Sequence, residues 1–192
     1  MKNSDGRETI EPASREEWRE WLKRNHQTSR GVWLIYKKKT SAGPGPRYEE
    51  VVEEAVAFGW IDSRVNSLDA ERVKQLFTPR KPGSAWSPSN KRRVELLLAR
   101  GLMAPAGMRA VDAARANGSW TALDDVENLV VPSDLSKALV ADGKAQRHFD
   151  AFSDSAKKMI LFWIQSAKRP ETRAKRIEET VRAAAENRRP GQ

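Results

Sequence analysis

The sequence predicts an α+β fold, with a small antiparallel β-sheet carrying helices in the N-terminal half and an all-helical C-terminal half. Three observations predict it. Runs rich in β-branched and aromatic residues at 31–37, 60–65 and 72–78 all fall before residue 80. Past Gly83, apolar residues recur only at helical spacing, between proline, serine and glycine stops. The chain has 192 residues, 39% of them hydrophobic, enough to bury a core without staples. This divides into a flexible leader over 1–12, an α+β domain over 13–118, and a helical region over 119–192 that packs on it and ends in a basic tail from about 168.

The elements follow in order. Ser14 with Glu17 has the spacing of a capping box, opening a helix to about Arg24 with Trp18, Trp21 and Leu22 on one face. Residues 31–37 read GVWLIYK, apolar on both faces and so interior to the sheet. Two proline–glycine signals at 43–46 mark a loop. A helix over 47–58 carries a stripe of Tyr48, Val51, Val52, Ala55 and Val56, and Gly59 stops it. Residues 60–65 and 72–78 form a hairpin around the turn at 66–69. A basic irregular loop covers 78–84. Ser87 caps the next helix, with Pro88 in its first turn and Gly101 at its end. Pro105 opens another helix, to about Gly118. Residues 121–131 form a loop. Ser133 caps a helix over 135–141, and helices follow at 146–152, 153–167 and 170–187.

Composition excludes several chemistries. There is no cysteine, so disulfides, thiol catalysis, iron–sulfur clusters and cysteine-based zinc sites are ruled out. Only His26 and His148 are present, in unrelated polar contexts, so no metal site and no Ser-His-Asp arrangement is expected. No phosphate-cradling glycine motif occurs, because Gly43-Pro44-Gly45 places proline where N–H donors are needed. No cofactor is expected. The first residues are polar and no apolar run approaches membrane-span length, which suits a soluble cytoplasmic protein. The net charge of +9 is uneven: residues 97–142 carry four basic and six acidic groups, while both flanks are basic. Such a field favours anionic partners, and solubility alone also accounts for it.

The densest unusual segment is 58–91, with FGWIDS, FTPRK and SAWSPSN. With 60–65 as the first strand of the hairpin, Asp62 and Arg64 share a face. The return strand delivers Arg80 and Lys81, and the following loop brings Ser84, Trp86, Ser87 and Asn90 to the same end. Cations beside hydroxyls and amides hold anionic oxygens, the helix opening at Ser87 adds free N–H groups, and Trp60 and Trp86 wall the pocket. These nine residues are the candidate ligand site, for an anionic small molecule or protein partner. The same residues admit a structural reading, in which Asp62 pairs with Arg64 or Arg80 and both indoles are core. A lone carboxylate beside arginine suits an ion pair better than a general base, so binding is expected rather than catalysis; an enzyme using Asp62 is one alternative. The other is nucleic-acid association through Lys168, Arg169, Arg173, Lys175 and Arg176, although interspersed glutamates also make that helix a solvated face.

Across these motifs the chain resembles the YdeI/OmpD-associated family, also called bacteriocin-protection proteins. The resemblance rests on Trp33-Leu34-Ile35-Tyr36-Lys37, Glu54-Ala55, Phe58-Gly59-Trp60-Ile61-Asp62-Ser63 and Phe77-Thr78-Pro79-Arg80. It continues through Ser84, Trp86-Ser87, Asn90, Gly101-Leu102-Met103 and Gly107. In the C-terminal half it rests on 149–155, Trp163-Ile164, Ala167-Lys168, Glu171-Thr172-Arg173 and Lys175-Arg176-Ile177. It spans about 15–185. The resemblance implies a bacterial stress-resistance protein, active against bacteriocins or cationic peptides and associated with an outer-membrane porin. It implies no catalytic residue.

Overall fold

The computed structural model describes residues 6–41 and 43–191. The chain forms two compact units that divide between Thr121 and Ala122. The expected division lay three residues earlier, at Gly118.

The first unit is α+β. Its four strands, β1 (Glu8–Ile10), β2 (Val32–Lys37), β3 (Trp60–Ser67) and β4 (Arg72–Pro79), lie in the order β1-β2-β4-β3. The hairpin β3–β4 and the pairing of β2 with β4 are antiparallel, but β1 runs parallel to β2, so the sheet is mixed. Part of the leader expected over 1–12 is strand instead: Glu8, Thr9 and Ile10 pair with Val32, Trp33 and Leu34. Three residues carry too little periodicity to mark a strand; β2, interior as its apolar run predicts, has an edge to fill. Residues 1–5 of that leader lie outside the described residues.

The helices α1 (Arg15–Asn25), α2 (Tyr48–Ala57), α3 (Pro88–Ala99) and α4 (Pro105–Ala116) complete this unit. Ser14 Oγ accepts the Glu17 amide at 3.3 Å, while the Glu17 carboxylate reaches back one residue further than a capping box requires, to the Ala13 amide. The core joins one face of the sheet (Val32, Leu34, Tyr36, Phe77) to Trp18, Leu22, Val51, Val52, Ala55 and Val56. The Trp18 indole lies edge-on to Phe77 and donates to Val51 O at 3.0 Å. Its nitrogen is thereby satisfied while its rings stay dry.

The second unit is all-helical: α5 (Asp124–Glu127), α6 (Ser133–Val140), α7 (Gly143–Ala151), α8 (Asp154–Gln165) and α9 (Pro170–Ala185). Two sequence expectations shift here. The loop over 121–131 contains the single turn α5, closed by backbone bonds from Glu127 and Asn128 to Leu123 O and Asp124 O. Ser133 is the first residue of α6 rather than its cap, because Pro132 holds the extended conformation before the helix. Leu135, Leu139, Phe149, Ile160, Leu161, Ile164 and Ile177 form its core. Lys158 to Glu127 at 2.8 Å ties α8 to α5, and Arg176 donates to Trp163 O and to Ser166 Oγ, fastening α9 to the carbonyl end of α8. Among the described residues no helix is long and apolar enough to cross a membrane.

Candidate functional site

The nine expected ligand-site residues separate into three groups. Trp60 is buried, with its indole edge-on to Trp21 and donating to His26 O at 3.3 Å. It is core. Asp62 and Arg64 do not share a face. Asp62 pairs with Phe77 and Val65 with Gln75, so Ser63 and Arg64 together oppose Leu76. This bulge reverses the alternation beyond Asp62. Asp62 turns to the helix-covered face, where its carboxylate accepts Gln75 Nε2 at 2.9 Å and the Tyr48 hydroxyl at 3.4 Å. Arg64 lies over the Trp33 ring on the other face. Gln75 also accepts the Tyr36 hydroxyl. Burial, helped by the Asp62 charge, pushes both tyrosine hydroxyls above their ordinary pKa, so they act as donors. Asp62 thus closes a hydrogen-bonded chain between sheet and α2.

Ser87 and Asn90 serve the start of α3. Ser87 Oγ accepts the Asn90 amide, and Asn90 Oδ1 accepts Arg93 Nη1 at 2.9 Å. A satisfied cap leaves less of the helix start open to a ligand than the sequence suggests.

Arg80, Lys81, Ser84 and Trp86 do meet, around a small cavity of about 80 Å³ completed by Ser119 and the Ala110, Ala113 and Ala114 face of α4. The Arg80 amide donates to Gly59 O at 3.0 Å, which fixes the end of β4. Gly59 has φ +75°, and a Cβ there would lie 3.2 Å from Ala110 Cβ, so glycine brings α4 up to this end of the sheet. The Arg80 guanidinium stacks 3.9 Å above the Trp86 ring, and its Nη1 donates to Ala85 O at 3.1 Å. Trp86 is fully buried, and its amide donates to Ser119 O. Burial pushes the Arg80 guanidinium down to about 10, with the Asp62 charge partly opposing the shift. Arg80 Nε and Nη2, Trp86 Nε1 and Ser119 Oγ are buried without a hydrogen-bond partner among the described residues. Ser119 was not among the sequence candidates; its only signal is its place in the Asn117-Gly118-Ser119 helix stop.

In the second unit a groove of about 920 Å³ lies between α6 and α9. Ala138, Ala174, Ile177, Val181 and Ala185 supply its apolar surface. Asp134, Asp142, Glu178 and Glu186 line it against two arginines, Arg173 and Arg182. Arg173 is engaged by Asp134 at 2.7 Å. The five basic residues named for nucleic-acid association are divided. Arg173 is held by Asp134, Arg176 lies over the Trp163 ring and bonds Trp163 O, and Lys168, Arg169 and Lys175 are exposed.

These features define an α+β unit with a small cation-lined cavity, followed by a helical unit with an apolar groove. The chain belongs to the family described as domain of unknown function (DUF8412), which matches residues 10–110, and its residues 128–187 match the family model described as bacteriocin-protection, YdeI or OmpD-associated. Each match falls inside one unit. FGWIDS and FTPRK, which carried part of the YdeI/OmpD resemblance, lie in the stretch matched by the domain of unknown function. No curated protein and no solved structure matches the chain.

Proposed function

We propose that this chain is a non-enzymatic binding protein of the YdeI/OmpD-associated type, and that it serves bacteriocin or cationic-peptide resistance by holding a basic amphipathic peptide in the groove between α6 and α9. The observation that carries this reading is the groove's composition. A protein of net charge +9 repels a cationic peptide at long range. Around this groove, four carboxylates face two guanidinia, and Arg188 pairs with Glu186 from outside the lining, so the local balance is mildly negative. Ile177 and Val181 lie one helical turn apart along α9, the spacing at which a docked helix places its own apolar residues. The domain description over 128–187 supports the same reading, because α6 and α9 both lie inside that match.

The test is calorimetric titration of the whole chain with a synthetic helix of alternating lysine and leucine faces. Saturable binding that weakens with added salt is expected. Glu178 and Glu186 are exposed, so Glu178→Lys with Glu186→Lys leaves the fold intact and lowers affinity about tenfold at low salt, roughly 1.4 kcal/mol. Absence of saturable binding, or equal affinity in the charge-reversed variant, overturns the reading.

A further inference from the structure

We propose that the cavity beside Arg80 is an oxyanion site, taking one carboxylate- or phosphate-sized group on the Nε/Nη2 edge of Arg80, the Trp86 indole N–H and the Ser119 hydroxyl. The inference is independent of the peptide groove, and it rests on four observations.

The first is the set of unpartnered groups. Four buried polar atoms of three side chains lining one cavity lack a partner among the described residues. Buried polar groups in folded proteins are nearly always paired. Arg80 Nε, Arg80 Nη2 and Trp86 Nε1 can only donate, and the Ser119 hydroxyl can donate. The complement of such a set is an acceptor.

The second is the edge of Arg80 that remains. Nη1 is committed to Ala85 O, and more weakly to Ser84 O at 3.5 Å. What is left is the side of the guanidinium where the Nε and Nη2 N–H bonds run parallel, which matches the two oxygens of a carboxylate or phosphate. Stacking on Trp86 fixes the plane of that fork.

The third is charge. Lys81 lines the same cavity, and among the described residues no carboxylate does. Asp62 is already hydrogen-bonded by Gln75 and Tyr48. The carbonyl end of α4 faces the cavity and opposes an anion with about half an elementary charge. That is less than the full charge of one guanidinium, and the amides of Asn117 and Trp120 already cover Ala113 O and Ala114 O.

The fourth is size. A cavity of about 80 Å³ holds the equivalent of roughly three waters. It admits one oxyanion, free or at the end of a larger molecule, but not a nucleotide or a peptide. Lys81 is exposed and marks the side open to solvent.

The test uses the intact chain labelled with nitrogen-15. The Trp86 indole N–H and Arg80 Nε–H resonances, assigned with Trp86→Phe and Arg80→Lys, are followed while chloride is replaced by inorganic phosphate or by acetate at constant ionic strength. Both resonances should shift saturably, and the tighter of the two anions names the group the site prefers. Arg80→Lys keeps the charge, loses the fork, and should weaken binding about tenfold or more. Ser119→Ala should weaken it by a smaller factor with an unchanged melting temperature. Shifts that never saturate mean that water alone occupies the cavity and overturn the proposal, as does full affinity in Arg80→Lys. Should Arg80→Lys fail to fold, unchanged affinity of Ser119→Ala for both anions overturns it instead.

Discussion

Glu54 is the most deeply buried charged side chain among the described residues, at 2% exposure. Its replacement by glutamine tests how the first unit is held together. One carboxylate oxygen accepts Arg15 Nε at 2.6 Å and the other Arg19 Nη1 at 2.5 Å. Arg19 passes the contact on, donating through Nη2 to Leu102 O at 2.9 Å. One carboxylate on α2 thus fastens α1 and, through it, the α3–α4 connection. Glutamine keeps the shape and one acceptor, but turns an amide donor toward a guanidinium donor and removes the charge. Breaking one partner of a buried pair costs about 3–5 kcal/mol. The arginines keep 22% and 24% exposure and so some access to water, which places this site at the lower end, about 3 kcal/mol. Urea unfolding followed by tryptophan fluorescence is the assay. Six of the seven tryptophans (all but Trp163) precede residue 122, so the signal reports this unit. The midpoint should fall without a change in slope. Glu53, which pairs with Arg15 at 2.9 Å, provides the internal comparison: Glu53→Gln should lose less than about 1 kcal/mol. If Glu54→Gln stays within about 0.5 kcal/mol of the parent, or loses no more than Glu53→Gln, the clamp does not hold the unit.

Gly107→Ala should lower the melting temperature sharply. A Cβ there collides with Ala57 O and lies 2.8 Å from Ala57 C, where α4 meets the end of α2, and overpacking of this kind costs about 1–3 kcal/mol or more. Arg64→Ala should shift the urea midpoint by no more than about 1 kcal/mol, because Arg64 is exposed and its contact over the Trp33 ring is a single cation–π pair; it should also leave the anion titration unchanged. Asp134→Asn should lose about 0.2–1 kcal/mol at neutral pH. The Arg173 hydrogen bond, foremost, holds the Asp134 carboxyl below its ordinary value. A depressed folded-state pKa contributes stability above the unfolded value, and that contribution disappears as pH falls through the folded one. Parent and variant should therefore converge in acid, and an unfolding series from neutral to below pH 4 checks it.

The order of elements was legible because each carries local chemistry. Trp18, Trp21 and Leu22 recur at helical spacing, Pro88 and Pro105 open helices, and β2 is apolar on both faces. The short strand β1 was not legible, since three residues cannot show a period and its pairing partner lies more than twenty residues away. The site was half legible. FTPRK and SAW place Arg80, Lys81, Ser84 and Trp86 near one another by chain proximity alone. Ser119 joins them only because the Trp86 amide reaches Ser119 O across the fold.

Residue pattern by itself determined the α+β class, the change from strands to helices near residue 80, the helix caps and the freedom from cysteine chemistry. These depend on neighbours within one or two turns. Tertiary structure alone decided which face each polar side chain serves. A single extra residue in β3 sent Arg64 away from Asp62, because strand alternation has a period of two and any insertion inverts it. It also decided that Trp60 is core, while Trp86, equally buried, keeps an N–H without a partner among the described residues, beside Arg80. Burial and hydrogen-bond satisfaction depend on residues distant in the chain, and no local window contains them.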